Sequence, residues 1–383
     1  MSRSPHLDHG WRSSRAAALA EEARRRTVEL VAISPPSGDR EAAERCVAAA
    51  SAMLPAAAEV ERPACSSADH APDLLARLRG SGRARILLLG HLDTVVAHAR
   101  HRSAVIDGNL LRGSGTIDMK GGDALALGVL GAAVECAGSF AELALLLVND
   151  EEFRTAPFVH GPRFADFDAC MCFEGGERTA AGVEALVVKR KAAAAIRIEA
   201  TGVATHSGAN PDAGRNALLA LALVSRRLAD LHDTGGPEAL SVVPTMVRSG
   251  EAINTVPGSG ELLVDMRADH AGAFDAVIAS VPEELEGVAL HTQRLRLWPG
   301  MDSRESSAAL LGRASELLGR PVVATARGGA SDASNVAPHL PVAIDGLGPL
   351  GGSAHSPDEH LLLDSLRPRA EVALAVLAAL LDD

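Results

Sequence analysis

Short apolar runs alternate with amphipathic stretches along the chain, and one of these runs ends in a cluster of acids. Leu143–Asn149 is predicted to be a buried strand, and Asp150, Glu151 and Glu152 follow it directly. Adjacent carboxylates at a strand end repel one another, so they need a cation, a shared proton or full exposure to solvent. We interpret the cluster as a cation site in which one glutamate takes part in catalysis.

Two further apolar runs lead into side chains of the same kind. Arg85–Leu89 leads into His91 and Asp93. Ala169–Phe173 leads into Glu174. In open α/β sheets, ligands bind just beyond the carboxyl ends of the strands. The pattern therefore predicts a ligand site at this end of a sheet.

The remaining hydrophobic patterns predict seven helices and five strands. Helical spacing predicts helices over Arg15–Ile33, Asp39–Met53, Asp123–Cys136, Gly214–His232, Ala271–Glu286, Ser303–Leu318 and Ser365–Leu381. Strands are predicted over Leu186–Thr201, Ser241–Val247, Glu261–Ala268, Val288–Leu297 and Pro341–Asp345.

The order of these elements divides the chain into two domains. An α/β pattern over residues 15–182 resumes over 298–383, and an α+β block over 183–297 interrupts it. We therefore predict a discontinuous α/β domain and an inserted α+β domain. Residues 1–14 are polar and are expected to form a disordered tail.

Composition and charge narrow the class of protein. The net charge of −12 argues against a nucleic-acid partner, and 47% apolar residues suffice for a large core. The five cysteines are odd in number and show no Cys-x-x-Cys pair, which is typical of reduced thiols in a cytoplasm. No secretory signal and no apolar run long enough to span a bilayer is apparent, so a cytoplasmic protein without a membrane partner is expected.

Seven side chains in strand-end or glycine-rich loops are candidates for the chemistry. They are His91, Asp93, Asp118, Glu151, Glu152, Glu174 and His355. Two imidazoles with several carboxylates and no thiolate suit zinc, cobalt or manganese. These groups are too many for one tetrahedral ion, so they indicate two metals that share a bridging carboxylate.

Four motifs among these loops resemble the M20 metallopeptidases. They are Gly90–Val95, Gly115–Gly122, Asn149–Glu152 and Ala354–Ser356. The resemblance extends from about residue 25 to residue 380, and within the family it is nearest to the glutamate carboxypeptidase (carboxypeptidase G2-like) branch. It implies a mixed-sheet dinuclear zinc-hydrolase catalytic domain of the α/β class with an inserted α+β (ferredoxin-like) lid and dimerisation domain.

The resemblance also implies a role for each candidate. Two Zn²⁺ ions, with Co²⁺ or Mn²⁺ as alternatives, would be bound by His91 and Glu174 on one ion, Glu152 and His355 on the other, and Asp118 on both. Glu151 would be the general base that accepts a proton from the attacking water. Asp93 would orient His91. A cis peptide bond is implied between Asp118 and Met119, and Asp150 has no assigned role.

The inserted domain carries further motifs of the same family. Gly202–Pro211 resembles the lid motif, which implies that His206 reaches the active site of the other subunit of a homodimer and stabilises the oxyanion. Substrate-binding roles are implied for Asn254, Arg267, Gly329 and Ser331, and Arg267 would bind a substrate carboxylate with two prongs.

One position departs from the glutamate carboxypeptidase branch. That branch has an arginine immediately before the proline that corresponds to Pro299, where this chain has Trp298. Arg294 and Arg296 are alternatives for the missing cation. Preference for a C-terminal glutamate therefore stays open, whereas binding of some α-carboxylate is expected.

Simpler structural interpretations compete for several of these residues. Arg267 is alternatively one half of an ion pair on a strand face, and Asp118 is alternatively the N-cap of the next helix. His206 is alternatively a surface histidine. His360 competes with His355 as a ligand, although the small residues around His355 favour the latter.

Together these features predict a metal-dependent hydrolase that cleaves the amide bond of a small peptide or N-acyl amino acid with a free carboxylate. The alternative within enzymes is a deacylase of the acetylornithine deacetylase, succinyl-diaminopimelate desuccinylase or aminoacylase kind. A metal-binding protein without turnover is the alternative of another class, and the intact Glu151 speaks against it.

Overall fold

The computed structural model describes residues 8–381, and the chain forms two compact units. The first unit contains the chain up to Lys189, Asp302–Ala326 and the chain from Ser331 onward. The second unit contains Arg190–Met301 and Arg327–Ala330. These boundaries lie a few residues beyond the predicted ones at 182/183 and 297/298.

Both helices and strands occur throughout the described chain. The α-helices are α1 (His9–Val31), α2 (Arg40–Ala52), α3 (Gly121–Ala133), α4 (Ala217–Ala229), α5 (Ala273–Ala279), α6 (Ala308–Leu318), α7 (Asp332–Val336) and α8 (Leu366–Leu381). The strands are β1 (Glu59–Glu61), β2 (Leu74–Arg79), β3 (Ala84–His91), β4 (Val105–Asp107), β5 (Leu110–Arg112), β6 (Phe140–Val148), β7 (Ala169–Cys172), β8 (Glu177–Arg178), β9 (Glu184–Arg190), β10 (Ala192–Thr201), β11 (Thr205–His206), β12 (Ser241–Ser249), β13 (Thr255–Val256), β14 (Ser259–Ala268), β15 (Glu284–Leu285), β16 (Val288–Trp298), β17 (Met301–Asp302), β18 (Val322–Arg327), β19 (Val342–Ile344), β20 (Gly351–Gly352) and β21 (His360–Leu362).

The first unit is built on a six-stranded mixed sheet in the order β1-β2-β6-β3-β7-β19. The pairs β3/β6, β3/β7 and β7/β19 are parallel, whereas β1/β2 and β2/β6 are antiparallel. Smaller sheets are formed by β4, β5, β21 and β20 and by β9 with β8 and β18. The mixed α/β architecture predicted from the sequence is thus confirmed.

The core of the first unit lies between this sheet and its helices. α3 packs against β3 and β6, and α1 and α8 pack against α3 and against each other. Leu143, Leu145 and Leu147 on β6 are fully buried in this cluster, as expected for a strand that is covered on both faces.

The second unit is an antiparallel sheet covered by two helices. Its five strands have the order β12-β14-β10-β16-β15. The chain passes through β10, α4, β12, β14, α5 and β16, which is the strand–helix–strand–strand–helix–strand order of a ferredoxin-like fold. Its own core contains buried side chains of β10, β14, α4 and α5, so the α+β prediction is confirmed.

The first helix begins earlier than predicted, because long-range contacts hold its first turn. Asp8 caps α1 by accepting a hydrogen bond from the Trp11 backbone N–H, at 2.8 Å. The Trp11 indole N–H donates to Glu135 at 2.8 Å, and Arg12 donates to the Leu317 carbonyl at 2.8 Å. The predicted disordered tail is therefore wrong for residues 9–14, and residues 1–7 lie outside the described residues.

Three other helices are several residues shorter than predicted, and one inner strand of the six-stranded sheet is absent from the prediction. α4 covers Ala217–Ala229 rather than Gly214–His232. α5 ends at Ala279, because Glu284 and Leu285 pair with β16 instead. α6 begins at Ala308 rather than at Ser303. β2 is missing from the prediction, since its two arginines and three leucines suit a helix equally well. Within residues 8–381, no helix combines the length and the apolar composition needed to cross a membrane.

Candidate metal centre and active site

Three adjacent parallel strands end at one edge of the six-stranded sheet. β3 ends at His91, which is in register with Val148 at the end of β6. β7 ends at Cys172, two residues before Glu174. The carboxyl ends of parallel strands meet at the same edge of a sheet, so the backbone brings the predicted strand-end side chains together.

Asp118 lies between two groups of side chains at this edge. One oxygen of Asp118 is 3.1 Å from His91 Nε2, and the other is 3.0 Å from His355 Nε2. Glu174 is 3.8 Å from His91 Nε2, and Glu152 is 3.2 Å from His355 Nε2. Two donor groups thus share Asp118: His91, Asp118 and Glu174 form one, and Asp118, Glu152 and His355 form the other.

The loops that carry Asp118 and His355 have unusual backbone conformations. Asp118 has non-helical φ and ψ of −129° and 89°, and its peptide bond to Met119 is cis, as the resemblance implies. His355 has a left-handed φ of 64°, which costs a non-glycine residue about 1–3 kcal/mol and is typical of functional sites. A Cβ at Gly122 would lie 1.8 Å from the Phe173 carbonyl oxygen, so only glycine lets the start of α3 approach the end of β7.

The donor set fits divalent metal ions. Within each group the candidate ligand atoms lie within 4.8 Å of one another, and all of them are imidazole nitrogens or carboxylate oxygens. Glu152 Oε1 is buried and has no hydrogen-bond partner, so an acceptor is left to be satisfied. Hydrogen bonds to Asp118 and Glu152 raise the pKa of His355 to about 11. A field that attracts a proton so strongly also attracts a metal cation.

His91 and Asp118 show the same electrostatic pattern. Burial alone would lower the pKa of His91, but Asp118, Asp93 and nearby glutamates raise it well above its ordinary value. Burial would raise the pKa of Asp118, but the hydrogen bonds from His355 and His91 lower it. Asp118 is therefore an anion that both imidazoles face.

Glu151 belongs to neither donor group, but it lies close enough to His91 and Glu174 for their charges to act on it. Burial raises the pKa of its carboxyl well above the ordinary value, and the negative charges of Glu174, Asp332 and Glu152 raise it further. His91 opposes this effect. A carboxyl with a raised pKa is suited to accept and return a proton near neutral pH.

Asp93 organises two parts of the centre. His91 Nδ1 lies 3.1 Å from the Asp93 carbonyl oxygen and 3.4 Å from its carboxylate, which directs Nε2 toward Asp118. The Asp93 carboxylate also accepts hydrogen bonds from the backbone N–H groups of Glu151 and Glu152, at 3.2 Å and 3.1 Å. The second contact is beyond the predicted role, and it fixes the acidic loop relative to His91.

His206 and Asn254 lie together in the second unit. β11 pairs with β13, which sets His206 opposite Thr255, and the Asn254 carbonyl accepts a hydrogen bond from the Ser207 N–H at 2.9 Å. His206 is exposed, and its Nδ1 accepts hydrogen bonds from the N–H groups of Gly208 and Ala209, each at 3.1 Å. In the neutral ring the proton therefore resides on Nε2, which is a donor.

Arg267 is engaged within its own strand face. Its guanidinium donates to Asp265 at 3.0 Å and 3.3 Å, and Arg296 from β16 donates to the same carboxylate at 3.1 Å. Arg294 instead donates to Asp275 at 2.6 Å, and Trp298 is buried. The alternative interpretation of Arg267 as an ion pair thus describes its contact here, with two arginines around one carboxylate.

Gly329 and Ser331 belong to different units. The Gly329 carbonyl accepts a hydrogen bond from Arg190 at 2.8 Å within the second unit. Ser331 belongs to the first unit, where it is fully buried and its hydroxyl donates to Asp345 at 2.6 Å. Their roles in substrate binding remain predictions, and the Ser331 hydroxyl is already hydrogen-bonded within the protein.

The structure adds residues that the sequence did not single out. Asp150, which had no role, binds Arg154, and Arg154 also binds Asp332 on α7. Glu359 accepts hydrogen bonds from the loop that contains Asp118. His360, the competing ligand, is instead part of β21, with Nδ1 2.9 Å from the Asp358 carbonyl. The contacts of Arg154 with Asp332 and of Glu359 with the Asp118 loop join segments far apart in sequence, so no local pattern indicated them.

The sequence of the chain is similar to those of known metal-dependent hydrolases. The sequence profile of Peptidase family M20/M25/M40 matches residues 87–379. Carboxypeptidase G2 from Pseudomonas sp. (strain RS-16) is 27% identical over 316 residues, which cover 78% of this chain and 74% of that protein. Succinyl-diaminopimelate desuccinylase from Acidiphilium cryptum (strain JF-5) is 30% identical over 328 residues, which cover 78% and 84% of the two chains.

Solved structures share the fold over nearly the whole chain. Aminopeptidase PepT from Bacillus cereus ATCC 10987 superimposes with a TM-score of 0.74 at 19% identity, covering 94% of this chain and 98% of that one. The M20 family metallo-carboxypeptidase Sso-CP2 from Sulfolobus solfataricus gives a TM-score of 0.75 at 14% identity, covering 94% and 100%. The chain therefore belongs to the peptidase family M20/M25/M40 and is a metal-dependent enzyme of the peptidase and amidohydrolase class.

Proposed function

We propose that the protein hydrolyses the amide bond of a small peptide or N-acyl amino acid that carries a free carboxylate, with two zinc ions as cofactors. The observation that carries the proposal is the position of Asp118 between two donor groups, with Glu151 beside them. Cobalt and manganese are alternatives to zinc, because the donors are nitrogen and oxygen atoms only.

The proposed ligands are divided between the two ions. His91 and Glu174 would hold one, Glu152 and His355 the other, and Asp118 both. When bound, such a pair would polarise the substrate carbonyl and lower the pKa of a water molecule.

Glu151 would carry the proton in this reaction. Its carboxylate accepts a proton from the attacking water while the water oxygen forms a bond to the amide carbon. The same carboxyl then donates that proton to the leaving nitrogen as the carbon–nitrogen bond breaks. The products are a carboxylic acid and an amine. Asp93 contributes by holding the ring of His91 and the backbone of Glu151 in place.

His206 would stabilise the negative charge that develops on the carbonyl oxygen. Its Nε2–H is the free donor of the ring, because two backbone N–H groups bind Nδ1. We propose that it acts at the active site of the second subunit of a homodimer, with Asn254 among the residues that bind substrate.

Exposed apolar side chains on the second unit support the proposed dimer. β12 is the edge strand of its sheet and presents Val243 and Val247, which are 42% and 56% exposed. α4 presents Leu218, Leu219 and Leu223. An apolar edge strand is a favourable surface for pairing with a second copy.

Arginines of the second unit are candidates for binding the substrate carboxylate. Arg267 and Arg296 surround Asp265, so one positive charge remains in excess. Arg267 would turn from Asp265 to the substrate carboxylate. Trp298 is buried and carries no positive charge. This position therefore offers no cation to bind the side-chain carboxylate of a C-terminal glutamate.

Deacylation of N-acyl amino acids is the second candidate function. The relative from Acidiphilium cryptum that is named succinyl-diaminopimelate desuccinylase is 30% identical, and carboxypeptidase G2 is 27% identical. Both reactions use the same proposed base and ligands, and they differ in the acyl group and in the amine that leaves.

A metal-reconstitution assay with a substrate panel tests the proposal. The purified protein would be stripped with a chelator, reloaded with Zn²⁺ or Co²⁺, and assayed on Xaa-Glu dipeptides and on N-acetyl and N-succinyl amino acids. We expect hydrolysis that disappears with the chelator and returns with metal. The substrate with the highest kcat/KM separates the carboxypeptidase from the deacylase.

Glu151→Gln is the matched variant, because it keeps the shape of the side chain and removes the base. We expect kcat to fall by about 10²–10⁴-fold, with metal content unchanged. Wild-type hydrolysis by this variant would refute the mechanism. If the wild-type protein binds two metal ions and hydrolyses nothing in the panel, the metal-binding protein without turnover is the better interpretation.

A further inference from the structure

Glu359 lies outside both donor groups and is nevertheless attached to the loop that carries Asp118. Its side chain is buried, with 2% of the residue exposed. The carboxylate accepts hydrogen bonds from three backbone N–H groups, those of Gly115 at 2.9 Å, Ile117 at 3.0 Å and Asp118 at 3.2 Å. Oε2 binds the first of these groups, and Oε1 binds the other two.

The Glu359 carboxylate supplies the hydrogen-bond acceptors that a regular helix would otherwise provide to the loop. Asp118 has non-helical φ and ψ, so no helical hydrogen-bond pattern fixes its N–H. Buried N–H groups need acceptors, and an ionised carboxylate is among the strongest of them. Glu359 satisfies three such donors within four consecutive residues, and its own carbonyl accepts a fourth hydrogen bond from the Gly113 N–H, at 3.2 Å.

Glu359 also belongs to the segment that carries His355. Only three residues separate the two positions, and β21 begins immediately after Glu359. The backbone of β21 pairs with β5, where His360 lies opposite Arg112. The Glu359 side chain therefore connects the loop of Asp118 to the segment of His355. The Asp118 carboxylate and His355 Nε2 are 3.0 Å apart.

We propose that Glu359 is a positioning residue that sets Asp118 between His91 and His355 and thereby determines the affinity of the centre for its metal ions. The proposal rests on the proposed function for the identity of the ligands. It makes no use of Glu359 as a ligand or as a proton carrier. Partners of this kind behind metal ligands change metal affinity or activity by about 10–100-fold when they are replaced.

The test compares Glu359→Gln and Glu359→Ala with Glu142→Gln. Glutamine keeps Oε1 for Ile117 and Asp118 but presents an amide to the Gly115 N–H, whereas alanine removes all three acceptors. Glu142 is an equally buried carboxylate, paired with Arg77 and Arg79 at the opposite end of β6. Its replacement is expected to lower Tm without reaching the metal centre.

Zinc affinity would be measured by competition with a chromophoric chelator, together with Tm, kcat and KM. We expect weaker zinc binding by about 10-fold or more for Glu359→Gln and a larger loss for Glu359→Ala. The loss should appear in kcat more than in KM, because the substrate-binding arginines belong to another unit. Wild-type zinc affinity in Glu359→Ala, or an equal loss of affinity in Glu142→Gln at the same Tm, would overturn the proposal.

Crystal structures of the metal-free wild-type protein and of Glu359→Gln complete the test independently of metal binding. We expect the Asp118 carboxylate of the variant to move by more than about 1 Å from one of the two histidines, a displacement sufficient to impair a catalytic centre. An unchanged Asp118 would overturn the proposal even if the wild-type protein bound zinc. Absence of zinc binding in the wild type would instead contradict the proposed function.

Discussion

The acidic loop at the end of β6 is held by a buried arginine, and its removal should affect stability and activity together. Arg154 donates to Asp150 at 2.9 Å and 3.1 Å and to Asp332 at 2.6 Å and 2.8 Å. All three side chains are at most 5% exposed. Burial alone would lower the pKa of Arg154, but Asp332 and Asp150 raise it, so the guanidinium stays charged.

Arg154→Met keeps most of the side-chain volume and removes the charge. It leaves Asp150 and Asp332 buried without their cation, next to Glu151. Breaking a buried ion pair from one side costs about 3–5 kcal/mol, against a total stability of about 5–15 kcal/mol. At about 2–4 °C per kcal/mol, Tm should fall by about 6–20 °C. Glu151 and Glu152 lie between Asp150 and Arg154, so a shift of about 1 Å should reduce kcat/KM by about 10²-fold.

Differential scanning fluorimetry and kcat/KM on the best substrate of the panel measure the two effects. Arg45→Met is the matched control, because Arg45 forms an exposed ion pair with Glu41 on α2, at 3.0 Å, worth about 0.3–0.5 kcal/mol. The triple variant Asp150→Asn, Arg154→Met, Asp332→Asn removes the unpaired charges and should recover much of the Tm, yet not the activity. A Tm and a kcat/KM of Arg154→Met that match those of Arg45→Met would refute this reasoning.

Three further predictions concern other parts of the chain. Asp93→Asn should weaken zinc binding by about 10–100-fold in a chelator competition, because Asp93 orients His91, and an unchanged affinity would contradict that role. Asp39 caps α2, and the hydrogen bonds that its carboxylate makes with the Ala42 N–H and with His98 lower its pKa below 3.8. Asp39→Ala should therefore lower the free energy of unfolding by about 1 kcal/mol above pH 4. The difference from wild type should vanish as the pH falls through the lowered pKa. Thermal melts against pH measure this effect, and a difference in Tm that persists at low pH would contradict it. Val247→Asp on the edge strand should give monomers by light scattering with little activity, whereas fully active monomers would rule out a role of His206 across a dimer.

The strand-end residues could be predicted from the sequence because their positions follow from one simple rule. Apolar runs that end in His91, Glu151 and Glu174 indicate buried strands, and adjacent parallel strands bring their carboxyl ends together. Asp118 and His355 follow no strand or helix pattern. Their loops made them candidate ligands, but their roles, with Asp118 on both ions and His355 on one, were implied only by the resemblance of their motifs to a known family.

Contacts between distant segments could not be read from the chain. Glu359 lies more than 240 residues after the N–H groups whose hydrogen bonds it accepts. Arg154 and Asp332 are 178 residues apart in the sequence. The early start of α1 depends likewise on Glu135 and Leu317. The ion pair between Arg267 and Asp265 is different, because residues two apart on a strand share a face.

Anomalous diffraction from crystals of the zinc-loaded protein tests the central claim most directly. Two zinc peaks about 3.5–4 Å apart are expected, with Asp118 bound to both, His91 and Glu174 on one and Glu152 and His355 on the other. Glu151 should contact the water between them and neither zinc. A single peak, a pair of peaks that does not share Asp118, or Glu151 bound directly to zinc would contradict the account.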